Sequence, residues 1–183
     1  WTSGTISFAF HNGFVYAGIY AGGNLWGVVK SPLAGISSSS WTSFNTGFSI
    51  PPIVPMIRSL AIMGSSIIAG SWGRGMWISP TSTAAWVPFG PAVNYVAAIG
   101  LNEPHIFAGT LNPAVTRSPD YGATWMPSST PIFGSNSAYA LLVYGNKVYA
   151  GASSAGVFVS NDNGLTWSPF SEGLLDPTNP TGW

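Results

Sequence analysis

Residues 118–125 read Ser-Pro-Asp-Tyr-Gly-Ala-Thr-Trp, and residues 160–167 read Ser-Asn-Asp-Asn-Gly-Leu-Thr-Trp. Both follow the pattern S-x-D-x-G-x-T-W. The shared residues are Ser118, Asp120, Gly122, Thr124 and Trp125 in the first copy and Ser160, Asp162, Gly164, Thr166 and Trp167 in the second. A short carboxylate in a turn can accept hydrogen bonds from the N–H groups that follow it, and glycine can take the left-handed conformation. The pattern therefore predicts structural turns, with each tryptophan packed between neighbouring sheets.

The two turns belong to a longer unit that recurs four times. Each unit has a β-type run ending in Ala-Gly, a loop, a second run and a tryptophan. The Ala-Gly pairs are Ala17-Gly18, Ala69-Gly70, Ala108-Gly109 and Ala150-Gly151, and the tryptophans are Trp41, Trp86, Trp125 and Trp167. A period of about 40 to 45 residues with several short strands per unit is typical of a propeller blade. Glycine and proline interrupt every stretch, which disfavours a helical solenoid.

We therefore predict an all-β chain, a single β-propeller segment of about four blades, each a four-stranded antiparallel sheet. The predicted units lie approximately at residues 4–45, 46–90, 91–130 and 131–175, followed by a tail or link at 176–183. In the last unit the predicted strands A, B and C are 138–144, 147–151 and 156–160, and strand D is expected to start near Thr166. Four blades would leave two sheet edges exposed.

The repeated turns resemble the Asp-box of BNR-repeat proteins, a group that includes sialidase-like and sortilin-like β-propellers. The full motif occurs in two units. The second unit keeps Ser79 and Trp86, and the first keeps Ser31 and Trp41. The resemblance implies a propeller of six to eight blades, so we expect this segment to be part of a larger one. It also implies a ligand face built from B–C and D–A connections, opposite the Asp-box turns.

One B–C loop stands out as a candidate binding site. Residues 71–75 read Ser-Trp-Gly-Arg-Gly, and an aromatic face beside a guanidinium could hold a sugar or a carboxylate. We predict Trp72 and Arg74 as ligand-binding residues, together with Tyr20 on the first B–C loop. The alternative is that Trp72 packs against a neighbouring blade and Arg74 is solvated. Trp26 and Trp77 fall on C strands and are expected in the core.

The chain is poor in groups for acid–base catalysis, since only 5% of its residues are charged. A glycosidase needs two carboxyl groups across the scissile bond, and the pair left outside the turns is Glu172 and Asp176. A sialidase-like site, as the resemblance implies, would need three arginines around one carboxylate, but Arg58, Arg74 and Arg117 do not obviously converge. We predict no catalytic residue.

Composition also limits cofactors and partners. Five Lys and Arg residues cannot form the basic stripe that a nucleic acid requires. There is no cysteine for a disulfide or zinc–thiolate site, and His11 and His105 fall in turns of different blades. No metal or cofactor is therefore predicted. No apolar run is long enough to cross a bilayer.

These features predict a secreted or cell-surface, non-catalytic propeller module that binds a glycan or a protein. Two alternatives remain open. The chain could be a fragment of a glycoside hydrolase or sialidase-like enzyme whose other catalytic groups lie on further blades. It could also be a structural subunit of an extracellular assembly, because a surface with so little charge associates easily into homo-oligomers.

Overall fold

The computed structural model describes residues 4–20, 27–48, 55–128, 137–153 and 155–171. Its strands form four antiparallel sheets of four strands each, and no helix occurs among these described residues. In every sheet, strands that follow one another in sequence are neighbours. This order is that of a propeller blade, so the predicted all-β propeller architecture is confirmed.

The sheets share one plan of three longer strands and a short fourth one. The first sheet contains β1 (Gly4–His11), β2 (Phe14–Tyr20), β3 (Gly27–Pro32) and β4 (Thr42–Ser43). The second contains β5 (Met56–Met63), β6 (Ser66–Trp72), β7 (Gly75–Pro80) and β8 (Val87–Phe89). The third contains β9 (Val96–Asn102), β10 (His105–Thr110), β11 (Val115–Ser118) and β12 (Met126–Pro127). The fourth contains β13 (Ala138–Tyr144), β14 (Lys147–Ala152), β15 (Gly156–Ser160) and β16 (Ser168–Pro169).

Strand D of the last unit begins at Ser168, two residues after Thr166. Thr166 is still part of the preceding turn. Its N–H and its Oγ1 both donate to the carboxylate of Asp162, at 2.9 and 2.6 Å. A backbone N–H held by that side chain is not available to a strand ladder.

The turns between strands A and B and between strands C and D lie together at one end of each sheet. A backbone hydrogen bond joins the two turns in every blade. These bonds run from Leu33 N to Gly13 O, from Thr81 N to Ser65 O, from Tyr121 N to Pro104 O and from Asn163 N to Asn146 O, at 2.8 to 3.1 Å. The B–C hairpins therefore lie at the opposite end.

The chain divides into two compact units, residues 1–99 and 100–183. In the first unit, the first two sheets pack against each other around buried aromatic and branched side chains, including Tyr16, Phe44, Ile57, Ile67 and Trp86. Trp77 also belongs to this core, as its place on strand C predicts, with 4% of its surface exposed. Trp26 lies outside the described residues.

The second unit has its own core. Side chains from the third and fourth sheets meet there, including Phe107, Val115, Val148, Phe158 and Trp167. No helix among the described residues is long and apolar enough to cross a membrane.

Candidate functional site

We call residues 118–125 and 160–167 the Ser-Asp turns. In the second one, the Ser160 hydroxyl accepts the N–H groups of Asp162 and Gly164, at 3.3 and 2.8 Å, and donates to Asp162 Oδ1 at 2.7 Å. The two oxygens of Asp162 also accept the N–H and the hydroxyl of Thr166. The first turn repeats all five bonds. The serine and the aspartate therefore fix the turn backbone together.

These bonds also set the charge of the two carboxylates. Hydrogen bonds from the hydroxyl and the N–H of Thr124 lower the pKa of Asp120. Burial raises the pKa of Asp162, but the bonds from Thr166 and Ser160 outweigh it, so that its pKa is also lowered. A general acid needs the opposite shift. Both carboxylates are thus charged, engaged parts of a turn.

The glycines and tryptophans of the Ser-Asp turns also have structural contacts. Gly122 and Gly164 have positive φ angles of 90° and 76°. Trp125 is partly buried and donates its Nε1–H to the carbonyl oxygen of Gly122 at 3.1 Å. Trp167 is buried in the core of the second unit. A Cβ atom on Gly164 would lie only 2.8 Å from Phe107 Cε1, so the turn is pressed against that core.

The other two blades keep the serine of this turn without its carboxylate. Ser79 and Ser31 are fully buried, like Ser118 and Ser160. The hydroxyl of Ser79 donates to Thr83 O at 3.0 Å and accepts Ala85 N–H at 2.9 Å. A buried serine hydroxyl is therefore the part of the turn that all four blades share.

At the opposite end of the second sheet, the predicted B–C loop is a two-residue hairpin that joins β6 to β7. Trp72 closes β6 and has 51% of its side-chain surface exposed. Tyr95, from the connection that leads into β9, contacts it edge-to-face, with ring centroids 4.6 Å apart. Trp72 thus presents an exposed indole at a fixed place on this end.

Arg58 joins Trp72 because of a β-bulge. In the pairing of β5 with β6, Ile57 lies opposite Ser71 and Ser59 opposite Gly70, so that Arg58 is the extra residue. A bulge bends the strand and re-aims the side chain of its extra residue. The Arg58 guanidinium carbon lies 5.6 Å from the centroid of the Trp72 ring, which is cation–π geometry.

The hairpin is held rigidly against the D–A connection of its own blade. Gly75 N donates to Asn94 O at 3.1 Å, and a Cβ atom on Gly75 would lie 2.6 Å from Val93 O. The Nε1–H of the buried Trp77 donates to Arg74 O at 3.1 Å. The backbone of Arg74 is therefore fixed at the tip of the hairpin, two residues after Trp72, and its side chain is half-buried.

We call Arg58, Trp72, Arg74 and Tyr95 the Trp72 site. The compact unit that carries this site has a net positive charge, because residues 1–99 contain three of the five Lys and Arg residues and none of the Asp or Glu residues of the chain. All five carboxylates lie in residues 100–183. No carboxylate of its own compact unit can therefore neutralise either guanidinium of the site.

The remaining predicted residues are not brought into this cluster. Tyr20 ends β2, at the register position that Trp72 occupies in β6, but its side chain lies outside the described part. Arg117 is buried on β11, where its Nη2 lies 3.3 Å from Met126 Sδ. Glu172 and Asp176 lie outside the described residues. Within those residues, no group of three His, Cys, Asp or Glu side chains could hold a metal ion.

Sequence reasoning missed Arg58 and Tyr95 as neighbours of Trp72. A signal for Arg58 does exist in the repeat. In the first, second and fourth blades, strand A has a bulge at the same distance before the Ala-Gly pair. The extra residue of the bulge is Ile6, Arg58 or Tyr139.

No protein-family profile and no curated protein matches this sequence. Solved structures do match its fold. The extracellular domain of BT4673 from B. thetaiotaomicron is similar with a TM-score of 0.69 and 18% identity, over 97% of this chain and 23% of that one. An ancestral GH74 enzyme matches with a TM-score of 0.63 and 22% identity, over 87% of this chain and 23% of that one. YCF48 bound to D1 peptide matches with a TM-score of 0.59 and 17% identity, over 87% and 50%.

The three similar structures are β-propeller-type folds, and at these identities the likeness establishes the fold alone. The chain spans about a quarter of the length of the first two and half of the third. The resemblance predicted from the sequence is thus confirmed at the level of the β-propeller fold.

Proposed function

We propose that this chain is a non-catalytic, extracellular or cell-surface β-propeller module of the Asp-box type, which binds a carboxylate-bearing glycan or protein through the Trp72 site. The observation that carries this proposal is the Arg58 guanidinium over the exposed ring of Trp72, in a half of the chain that has no acidic residue. Guanidinium groups bind carboxylates through charge-assisted hydrogen bonds, and the indole supplies apolar contact area.

The geometry of the site suits binding because it is preformed. Tyr95 supports the edge of the Trp72 ring, and the hairpin is hydrogen-bonded to its neighbouring connection. Little conformational entropy is then lost when a ligand binds. Among the similar structures, YCF48 has a bound peptide, which supports a peptide segment as one class of partner, and the extracellular BT4673 domain supports the proposed location.

The absence of a catalytic role is part of the proposal. Among the described residues the carboxylates are Glu103, Asp120 and Asp162, and both aspartates are engaged in the Ser-Asp turns. Glu103 lies exposed in an A–B turn, at the end of its sheet opposite the B–C hairpins. This arrangement offers no described carboxyl pair across a substrate.

Two matched ligand pairs test the proposal. Methyl esterification removes the charge of oligogalacturonate and adds one methyl group per carboxyl group, and replacing glutamate by glutamine removes the charge of a glutamate-rich peptide with almost no change in shape. We expect calorimetric titration to detect one of the acidic ligands and neither of the neutral ones. Equal binding of charged and neutral members, or no binding of any, would contradict the proposal.

A second candidate, glycoside hydrolysis, is favoured by the likeness to an ancestral GH74 enzyme. Release of reducing sugar from neutral β-glucans by the purified chain would support this candidate. The binding module predicts no turnover above a heat-denatured control.

A further inference from the structure

The packing between the first two sheets supplies a template for surfaces that the chain leaves exposed. On the first sheet, Tyr16 and Phe44 form an edge-to-face pair with ring centroids 5.4 Å apart. Trp86 of the second sheet covers this pair and donates its Nε1–H to Phe44 O at 2.6 Å. All three side chains are buried. We call the surface around Tyr16 and Phe44 a receiving face, and the surface that carries Leu60, Ile62 and Trp86 a covering face.

The fourth sheet repeats the receiving face, with its aromatic pair uncovered. Tyr149 and Phe170 form an edge-to-face pair with centroids 5.5 Å apart. Phe170 N donates to Val157 O, as Phe44 N donates to Val28 O. Yet Phe170 is 56% exposed, whereas Phe44 is 2% exposed.

Leu142 belongs to the same exposed receiving face. It pairs with Tyr149 in the strand register, as Ala9 pairs with Tyr16 in the first sheet. Ala9 is buried against the second sheet, whereas Leu142 is 64% exposed. The fourth sheet thus has the residues of a blade-to-blade contact, and Leu142 and Phe170 among them are exposed.

The first sheet repeats the covering face. Phe8 pairs with Ala17 as Leu60 pairs with Ala69, and Phe10 stands in the register position of Ile62. Leu60 is buried against the first sheet, but Phe8 and Phe10 are 55% and 62% exposed. Trp41 holds the place of Trp86 in the repeat. Surfaces of both kinds, a receiving face and a covering face, are therefore exposed on one chain.

Charge distinguishes a second copy of this chain from an arbitrary partner. The exposed covering face lies in residues 1–99, where, histidine aside, the charged side chains are all cationic. The exposed receiving face lies in residues 100–183, which carry five carboxylates and two cations. The two parts of the chain have opposite net charges of equal size, and opposite net charges favour the association of unlike parts of two copies.

We propose that two copies of this chain associate head to tail, with the receiving face of each fourth sheet packed on the covering face of the other copy's first sheet. The contact repeats the one between the first two sheets, with Phe8, Phe10 and Trp41 of one copy against Leu142, Tyr149 and Phe170 of the other. An interface between two unlike faces produces a closed ring when the rotation that relates one copy to the next completes a full turn. Propellers typically have four to eight blades, so that two copies of four blades reach the upper end of that range.

Sedimentation equilibrium of the full chain tests the assembly. We expect a species of twice the chain mass of 19.1 kDa. Phe10→Glu and Leu142→Lys should each weaken the dimer by about tenfold or more, as expected for residues central to an interface. Ile36→Glu is the matched control, since Ile36 is a half-exposed apolar residue in a C–D turn that is not among the contact residues of either face, and it should leave the dimer intact.

Mixing the two variants makes the test independent of any loss of folding. In an equimolar mixture, a dimer of one Phe10→Glu chain and one Leu142→Lys chain has two contacts. Both faces of one contact are native, and the other contact places the two introduced side chains, which have opposite charges, against each other. Dimers should therefore reappear. A monomeric native chain would overturn the proposal. So would a dimer that both variants leave unchanged, or a mixture that stays monomeric.

Discussion

The guanidinium carbon of Arg58 lies 5.6 Å from the centroid of the Trp72 ring. The two residues are 14 positions apart on adjacent strands, and the bulge in β5 is what brings them together. A cation–π pair at a partly exposed site contributes about 0.5–1 kcal/mol. The pair therefore adds little to the stability of the chain.

A double-mutant cycle measures this pair directly. We expect Arg58→Ala and Trp72→Ala to show a coupling of about 0.5–1 kcal/mol in urea unfolding. Arg74→Ala with Trp72→Ala is the comparison cycle and should give a smaller coupling, because the described contact of Arg74 runs through its backbone. Equal couplings in the two cycles would argue against the ring contact of Arg58.

Ser160→Ala should destabilise the chain by about 2 kcal/mol, because it leaves the buried N–H of Gly164 and the partly buried N–H of Asp162 without their acceptor. Ser82→Ala is the control, since Ser82 is exposed in the corresponding turn of the second blade. Denaturant titration gives both values. A Ser160→Ala variant as stable as Ser82→Ala would show that the hydroxyl does not hold the turn.

Gly164→Ala should cost more than Gly145→Ala. Both glycines have positive φ angles, 76° and 58°, and alanine pays about 1 kcal/mol for that conformation alone. At Gly145 the added methyl group meets open space, whereas at Gly164 it meets the Phe107 ring at 2.8 Å. Overpacking adds about 1–3 kcal/mol. Thermal unfolding of the two variants checks the order, and equal melting temperatures would contradict the packing of the turn on Phe107.

Acid should destabilise the chain through Asp120 and Asp162. Their pKa values are lowered in the folded state, whereas an unfolded aspartate titrates near 3.9. Their contribution to stability is complete above that value and is lost as the pH falls through the lowered pKa. The Asp120→Asn, Asp162→Asn double variant should be less stable at pH 7 and lose less stability on acidification.

Melting temperatures followed by circular dichroism from neutral to strongly acid pH give both acid-unfolding curves. Glu103→Gln serves as the control, because Glu103 is exposed in an A–B turn. Parallel curves for the native chain and the double variant would show that other carboxyl groups dominate the acid response.

The sequence predicts the parts of this molecule that local rules determine. The Ser-Asp turns are set by residues within eight positions of one another, and the blades follow from a repeat that spacing alone reveals. The place of Trp72 at a B–C hairpin also follows from the two strands that flank it. The positions of Arg58 and Tyr95 do not, because they depend on a bulge and on a connection from a later part of the chain.

Residue type alone also does not predict the exact start of strand D in the last unit. Threonine suits a strand, but two hydrogen bonds from Thr166 to Asp162 keep Thr166 in the turn. The exposed faces of the first and fourth sheets likewise become recognisable only when the strand registers show which residues are covered in the contact between the first two sheets.

The most direct test of the Trp72 site is a ¹H–¹⁵N spectrum of the tryptophan indoles during titration with oligogalacturonate and with the glutamate-rich peptide. We expect one of these acidic ligands to shift the Trp72 resonance and Trp72→Ala to abolish binding. Tyr121→Ala, which removes an exposed aromatic ring at the opposite end of a blade, should leave binding unchanged. An unshifted Trp72 resonance in the presence of a bound acidic ligand, or full affinity in Trp72→Ala, would contradict binding at the Trp72 site.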